Sequence, residues 1–211
     1  METLKKILSK ITILFIIGLI TSFSALSQDT KALQKAFEDS YNYETKGEYS
    51  KAIDGLKKVY DEKSYETNLR LGWLFYMSGL FTESAPYYQK AINLKPYSIE
   101  ARLGSVYPAS ALGNWEQVKK QYFEIIKIDP QNSLVNYRMG LIYYGKEDYT
   151  KAKTYFEKVI NLYPFDYDSI IMYAWTNYKL KNFREAKILF NKALLMKPND
   201  ESATQGLELI K

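Results

Sequence analysis

Apolar and polar positions in this chain follow a helical period rather than the two-residue period of a strand. Tyr149, Ala152, Phe156 and Val159 are spaced three, four and three apart, which rebuilds one face of an α-helix. The same face recurs along the chain. Tyr49, Phe81, Trp115, Tyr149 and Phe183 open it, Leu56, Tyr88, Tyr122, Phe156 and Phe190 follow seven residues later, and Val59, Ala91, Ile125, Val159 and Ala193 three later still. Small residues Ala52, Ser84, Ala152 and Ala186 lie between the first two columns, with Val118 as the exception. A second amphipathic segment precedes each of these stretches, for example 68–79 and 136–149. The two are separated by short turns: Gly47-Glu48, Gly79-Leu80, Gly113-Asn114, Glu147-Asp148 and Lys181-Asn182. Pro96, Pro130, Pro164 and Pro198 stand 34 residues apart and close the second stretches, as a residue that cannot continue a helix should. The pattern predicts an all-α chain of helix pairs repeating every 34 residues, at 33–64, 65–98, 99–132, 133–166 and 167–200, with a closing helix over 201–211.

These residues resemble the tetratricopeptide repeat family, whose pattern runs Trp-x2-Leu-Gly-x2-Tyr, then Ala-x3-Phe-x2-Ala, then Pro. The segment 136–164 supplies Asn136, Met139, Gly140, Tyr143, Ala152, Phe156, Val159 and Pro164, and 68–96 supplies Asn68, Leu71, Gly72, Phe75, Ser84, Tyr88, Ala91 and Pro96. The resemblance implies a right-handed superhelical solenoid of about five helix pairs plus the closing helix, with one continuous core. A lone pair cannot bury its apolar face, so stacking is what stabilises it.

Three departures carry expectations of their own. The first repeat is two residues short, lacks its Pro and has Asp39-Ser40 in place of Leu-Gly. The fifth has Tyr173-Ala174 there and Asn177 at the aromatic position. In the third, Leu103-Gly104 stands two residues early relative to Gly113, which predicts a longer first helix with a kink or bulge near Gly104–Pro108.

The residues ahead of the repeats follow a different rule. Lys5, Lys6 and Lys10 precede an apolar run at 11–20, and small residues including Ala25 and Ser27 follow it. A basic start, a short apolar centre and a small-x-small end read as a secretory signal peptide over 1–27, cleaved before Gln28. The alternative is an uncleaved N-terminal membrane anchor, although the apolar run is shorter than the ~20 residues a spanning helix needs. Export to the periplasm is the expected address, with anchoring or secretion as alternatives. The leader holds three lysines and one glutamate, so its removal takes the net charge from +5 to +3, an ordinary balance that offers no nucleic-acid footprint.

Composition narrows the chemistry. The 211 residues contain no His and no Cys, which removes the commonest general base, the thiol nucleophile, disulfides and the usual transition-metal ligands. Neither a glycine-rich phosphate loop nor a metal-spaced acidic loop occurs, and no cofactor or metal is expected. Glu147-Asp148 precedes a helix, where acids cap free amides and meet the helix dipole. The lysine pairs Lys57-Lys58 and Lys119-Lys120 fall on second helices among glutamates and read as a solvated face.

The family resemblance implies a concave groove lined by the first helix of each repeat, at positions two, five, nine and twelve. That places Glu66, Leu69, Trp73 and Tyr76 inward in the second repeat, Leu134, Tyr137, Leu141 and Tyr144 in the fourth, and Asp168, Ile171, Trp175 and Tyr178 in the fifth. Counted from its own Leu-Gly, the third repeat contributes Ser98, Ala101, Ser105 and Pro108, a patch of small residues. The expected site is an apolar and aromatic strip for a peptide or helix of a partner protein, built from Trp and Tyr, which dominate interface energies. The competing reading is that these side chains pack between neighbouring helices. A carboxylate clamp would need Lys, Arg and Asn at positions five and nine, which hold Leu69, Trp73, Tyr137, Leu141, Ile171 and Trp175. The expected function is a non-enzymatic adaptor of the cell envelope. The alternatives are a dedicated subunit or chaperone of one membrane protein, self-association through the groove and, more remotely, an enzyme with a Tyr/Lys/Glu site.

Overall fold

The computed structural model describes residues 30–210, so the leader read over 1–27 lies outside the described residues. Among the described residues every regular element is an α-helix. The order is α1 (30–44), α2 (Tyr49–Lys57), α3 (Tyr65–Met77), α4 (Phe81–Leu94), α5 (Ile99–Ala111), α6 (Trp115–Ile128), α7 (Ser133–Gly145), α8 (Tyr149–Leu162), α9 (Tyr167–Lys179), α10 (Phe183–Met196) and α11 (Glu201–Glu208). Five pairs and a closing helix are the arrangement that the period predicts. Contacts divide the chain into two compact units, one ending at Gly113 and the other beginning at Asn114.

The 34-residue period has a local chemical basis at both ends of the first helices. Ser64, Ser98, Asn132, Asp166 and Asp200 precede α3, α5, α7, α9 and α11, and each side chain accepts the backbone N–H three residues on. These caps satisfy amides that a helix start leaves without partners. At the other end the chain must reverse in two or three residues. Gly47, Gly79, Gly113, Glu147 and Lys181 all take positive φ there, so two non-glycine residues occupy a conformation that ordinarily costs about 1 kcal/mol. The turn repays this with bonds such as the Asn182 amide to the Asn177 carbonyl at 2.8 Å.

In the unit ending at Gly113, α3 packs on α4 and α4 on α5 around Leu71, Leu74, Tyr88, Ala91 and Ala101, all buried. Tyr88 is the wedge. Its ring lies where a Cβ on Gly72 would sit 2.9 Å from Cδ2, and its other edge fills the space above Gly104. Burial raises the Tyr88 phenol well above its ordinary pKa. The atypical Asp39-Ser40 of α1 also has a use. Ser40 is fully buried and accepts Arg70 Nε at 3.0 Å, while Glu44 takes Arg70 Nη1 at 2.6 Å and Trp73 Nε1 at 2.5 Å. A nearly buried ion pair thus fastens α1 to α3.

In the unit beginning at Asn114, α7 packs on α8, α8 on α9 and α9 on α10, and α11 closes on α9 and α10. Phe156 and Phe190 are fully buried wedges against Gly140 and Gly206 respectively. Asn177, at the fifth repeat's aromatic position, is fully buried and gives its amide to the Tyr173 carbonyl at 2.9 Å. The Tyr167 hydroxyl donates to the Asp200 cap at 2.6 Å, and burial with that carboxylate pushes the phenol up to about 12.

One expectation for the third repeat is corrected. Helix α5 is no longer than α3, α7 or α9, each of 13 residues, and runs without a break through Pro108. Gly104 is not a displaced copy of Gly72: it stands 32 residues after it, at the sixth helix position, where it admits the preceding repeat's Tyr88 ring. Val106 takes the place of the eighth-position glycine and is buried.

Two substitutions test this packing. Gly140→Ala should destabilise the protein by about 1–3 kcal/mol, because the new Cβ would meet the immobile Phe156 ring at 2.6 Å. Gly145→Ala in the same helix meets nothing and should be neutral or slightly stabilising in the same urea titration. Glu44→Ala should cost about 3 kcal/mol by leaving the Arg70 charge buried without its counter-ion. A loss below 0.5 kcal/mol, roughly a surface-pair value, would show that the pair does not fasten α1.

Candidate functional site

The first helix of each repeat supplies the residues expected to line a groove, and the two units treat them differently. In the unit ending at Gly113, Leu69 and Trp73 are half-buried and line an open cleft of about 710 Å³. Trp73, Tyr76 and the third repeat's Tyr107 form a ring cluster, with centroids 5.8 Å apart for Trp73–Tyr76, 6.0 Å for Trp73–Tyr107 and 5.2 Å for Tyr76–Tyr107. Tyr107 is 47% exposed.

Tyr107 is a site residue that the sequence count missed. Ser105 and Pro108, expected on the inner face, are buried, with the Ser105 hydroxyl turned back to the Arg102 carbonyl at 2.7 Å. Ala101 is fully buried and Ser98 is the cap of α5. Reading Gly104 as the eighth-position glycine shifted the register by two. Counted from Ile99, as for α3, positions two, five and nine are Glu100, Leu103 and Tyr107, and all three line the cleft. The expected patch of small residues is therefore replaced by a wall of Leu103 and Tyr107.

The cleft has a polar edge as well. Glu66 and Glu100 lie at corresponding positions of α3 and α5, both in the first turn. The Tyr65 hydroxyl bridges the Ser98 hydroxyl at 2.7 Å and Glu100 Oε2 at 3.0 Å. Lys95 pairs with Glu66 at 3.1 Å and sits over the Tyr65 ring. The backbone amide of Glu66 and then Lys95 hold its carboxyl below the usual carboxylate range. Phe37 and Tyr41 of α1 complete the wall beside Arg70.

In the unit beginning at Asn114 the corresponding residues are engaged in packing. Tyr137 lies against Phe156 with ring centroids 5.9 Å apart and borders a shallow recess of about 350 Å³ with Leu134, Tyr163 and Asp168. Leu141 and Tyr144 pack against the core, and Tyr144 meets Tyr149 edge-on at 5.3 Å. Burial raises the phenols of Tyr137 and Tyr144. Ile171 is 8% exposed and belongs to the core rather than to an inner surface. Trp175 packs edge-to-face on Phe190 at 5.0 Å and donates to Ser202 Oγ of α11 at 2.8 Å. Tyr178 sits between Trp175 and Phe183.

The remaining charged candidates resolve into local structure. Asp148 caps α8 through the Lys151 amide at 3.1 Å, and Lys119 pairs with Glu116 at 2.6 Å on the same helix. Among the described residues, no group of three or more acidic side chains converges as a metal site would, and no helix is long and apolar enough to cross a membrane.

Comparison with known proteins agrees with the fold of paired helices. Residues 134–166 and 167–200 match the family model described as "Tetratricopeptide repeat". No curated protein matches the chain. Among solved structures, a tetratricopeptide repeat protein from Parabacteroides merdae is similar at 20% identity with a TM-score of 0.72, covering 85% of this chain and 72% of that one. A MamA protein is similar at 23% identity with a TM-score of 0.67, covering 78% and 91% respectively. A second MamA structure, from AMB-1, is similar at 16% identity with a TM-score of 0.67, covering 82% and 94%. Residues 134–200 thus carry two tetratricopeptide repeats, and the chain has the all-α fold of tetratricopeptide structures over most of its length.

Proposed function

We propose that this chain is a non-enzymatic scaffold or adaptor of the cell envelope, which holds an apolar or aromatic peptide or helix of a partner protein in the cleft formed by α1, α3 and α5. The observation that carries this reading is the clustering of Trp73, Tyr76 and Tyr107 beside an open, largely apolar cleft of about 710 Å³. Rings held by neighbours lose little freedom on binding, and desolvating them contributes most of the energy in protein interfaces. The envelope address rests on the basic, apolar and small-residue pattern of 1–27. Similarity to tetratricopeptide and MamA structures supports the fold on which this reading stands, and the partner is identified only by its chemistry. An adaptor captures several partners, and a dedicated subunit one.

The test is a crosslinked pull-down from envelope extract with the wild type and a Trp73→Ala, Tyr107→Ala double variant of matched helicity. Loss of two interface rings should weaken capture about tenfold or more. Equal capture by both forms would move the site off the cleft. In the exporting cell, the mature protein should begin at Gln28 when its N-terminal peptide is sequenced. An intact Met1 would replace export by anchoring.

A further inference from the structure

Resting on the cleft reading above, we infer that the occupant is a polypeptide segment that is apolar, carries Lys or Arg opposite Glu66 and Glu100, and lays a main-chain carbonyl on Nη2 of Arg70. Three observations converge on this chemistry. First, the Arg70 side chain lines the cleft at 7% exposure, and its Nη2 has no hydrogen-bond partner although Nε and Nη1 are both engaged. A buried guanidinium donor without an acceptor is costly, and an occupant that supplies one removes that cost. The Tyr41 ring, itself 54% exposed, lies over the guanidinium at 3.9 Å and borders the same cleft.

Second, the acceptor that suits Nη2 is neutral. Glu44 already meets the Arg70 charge at 2.6 Å, so a carboxylate from a partner would be one anion too many. Third, the rim of the same cleft is acidic. Glu66 and Glu100 both border it, one lysine, Lys95, pairs with Glu66, and no ion pair joins Glu100 to a cation among the described residues. Helix dipoles favour an acid in each first turn. They do not require two such turns to share one rim with an apolar floor. Complementary charge at that rim selects a basic segment and disfavours an acidic one.

The experiment uses the full chain and three short probe peptides, acetylated and amidated, built from Leu and Phe with Lys, Gln or Glu at the polar positions. Fluorescence anisotropy should rank them Lys over Gln over Glu, with the Lys probe about fivefold tighter than the Gln probe, as exposed ion pairs allow. Glu66→Gln with Glu100→Gln, both on exposed side chains, should erase that preference without loss of helicity. Nitrogen-15 spectra of the wild type should show the Arg70 guanidinium signal shifting on addition of the Lys probe. Equal affinity for the Lys and Glu probes, an unchanged preference in the double variant, an unmoved Arg70 signal, or no saturable binding of the Lys probe each overturns the inference. The Trp73→Ala, Tyr107→Ala variant separates the two readings. Lys-probe binding that survives it removes the cleft reading itself, whereas charge-indifferent binding that it abolishes leaves the cleft and removes only the basic partner.

Discussion

In three of the five repeats the fold depends on one steric constraint: the aromatic ring on the second helix lies over a facing helix with no side chain beneath it. Tyr88 lies over Gly72 and Gly104, Phe156 over Gly140 and Phe190 over Gly206. Each ring fills the gap that the missing Cβ opens, so helix backbones approach closely without a void. The small residues Ala52, Ser84, Ala152 and Ala186, all almost fully buried, serve the same approach from the second helices. The first helices share the core, through residues such as Leu71, Leu74, Val135, Met139 and Ile170, and α3 and α5 turn the remaining part of their surface away from it. That surface is where the cleft is found.

This constraint also decides what was legible in the sequence. The 34-residue period, the pairing of helices and the turn positions follow from side chains repeating on one face; α3, α5, α7, α9 and α11 begin at 65, 99, 133, 167 and 201, whereas α1 begins at 30 rather than 33 and α11 ends at Glu208. The third repeat departs from its expected register because Gly104 stands at the sixth helix position and not at the eighth. A glycine two positions early reads as a shifted motif. In space it is a sixth-position residue that clears the way for Tyr88 from the preceding repeat. Ser105 and Pro108 were displaced from the site, and Tyr107 omitted, by that one assignment. The cap column Ser64, Ser98, Asn132, Asp166 and Asp200 was present in the sequence at the same period and two residues after each serial proline where one exists. It went unread because its members differ in identity and share only an acceptor oxygen. The Arg70–Glu44 pair carried no periodic signal at all. The corresponding residues of later repeats are Gly104, Arg138, Met172 and Gly206, which form no series.

The inner residues of the two units look alike in sequence and differ in what they touch. Trp73 and Trp175 both occupy the ninth helix position. Trp73 gives its N–H to Glu44 and keeps part of its ring on a cleft, whereas Trp175 gives its N–H to Ser202 of the closing helix and packs its ring against Phe190. The difference follows from the neighbour. A closing helix must satisfy the last repeat's apolar surface, and α11 does so by engaging the residues that would otherwise be presented to a partner. Short, amphipathic and carrying Gly206 under Phe190, it is built to pack rather than to leave space. In the first unit α1 adds a polar link to its apolar contacts, since Ala36 and Phe37 share a cluster with Leu71 and Leu74. Ser40 and Glu44 engage Arg70 and Trp73 by hydrogen bonds and charge, beside the cleft that Arg70 and Trp73 line. The departure of Asp39-Ser40 from the repeat pattern therefore supplies one of the two side chains that hold Arg70 beside the cleft. With Leu-Gly at that position, Arg70 would lose the Ser40 acceptor, and its Nε would join Nη2 as a buried donor without a partner.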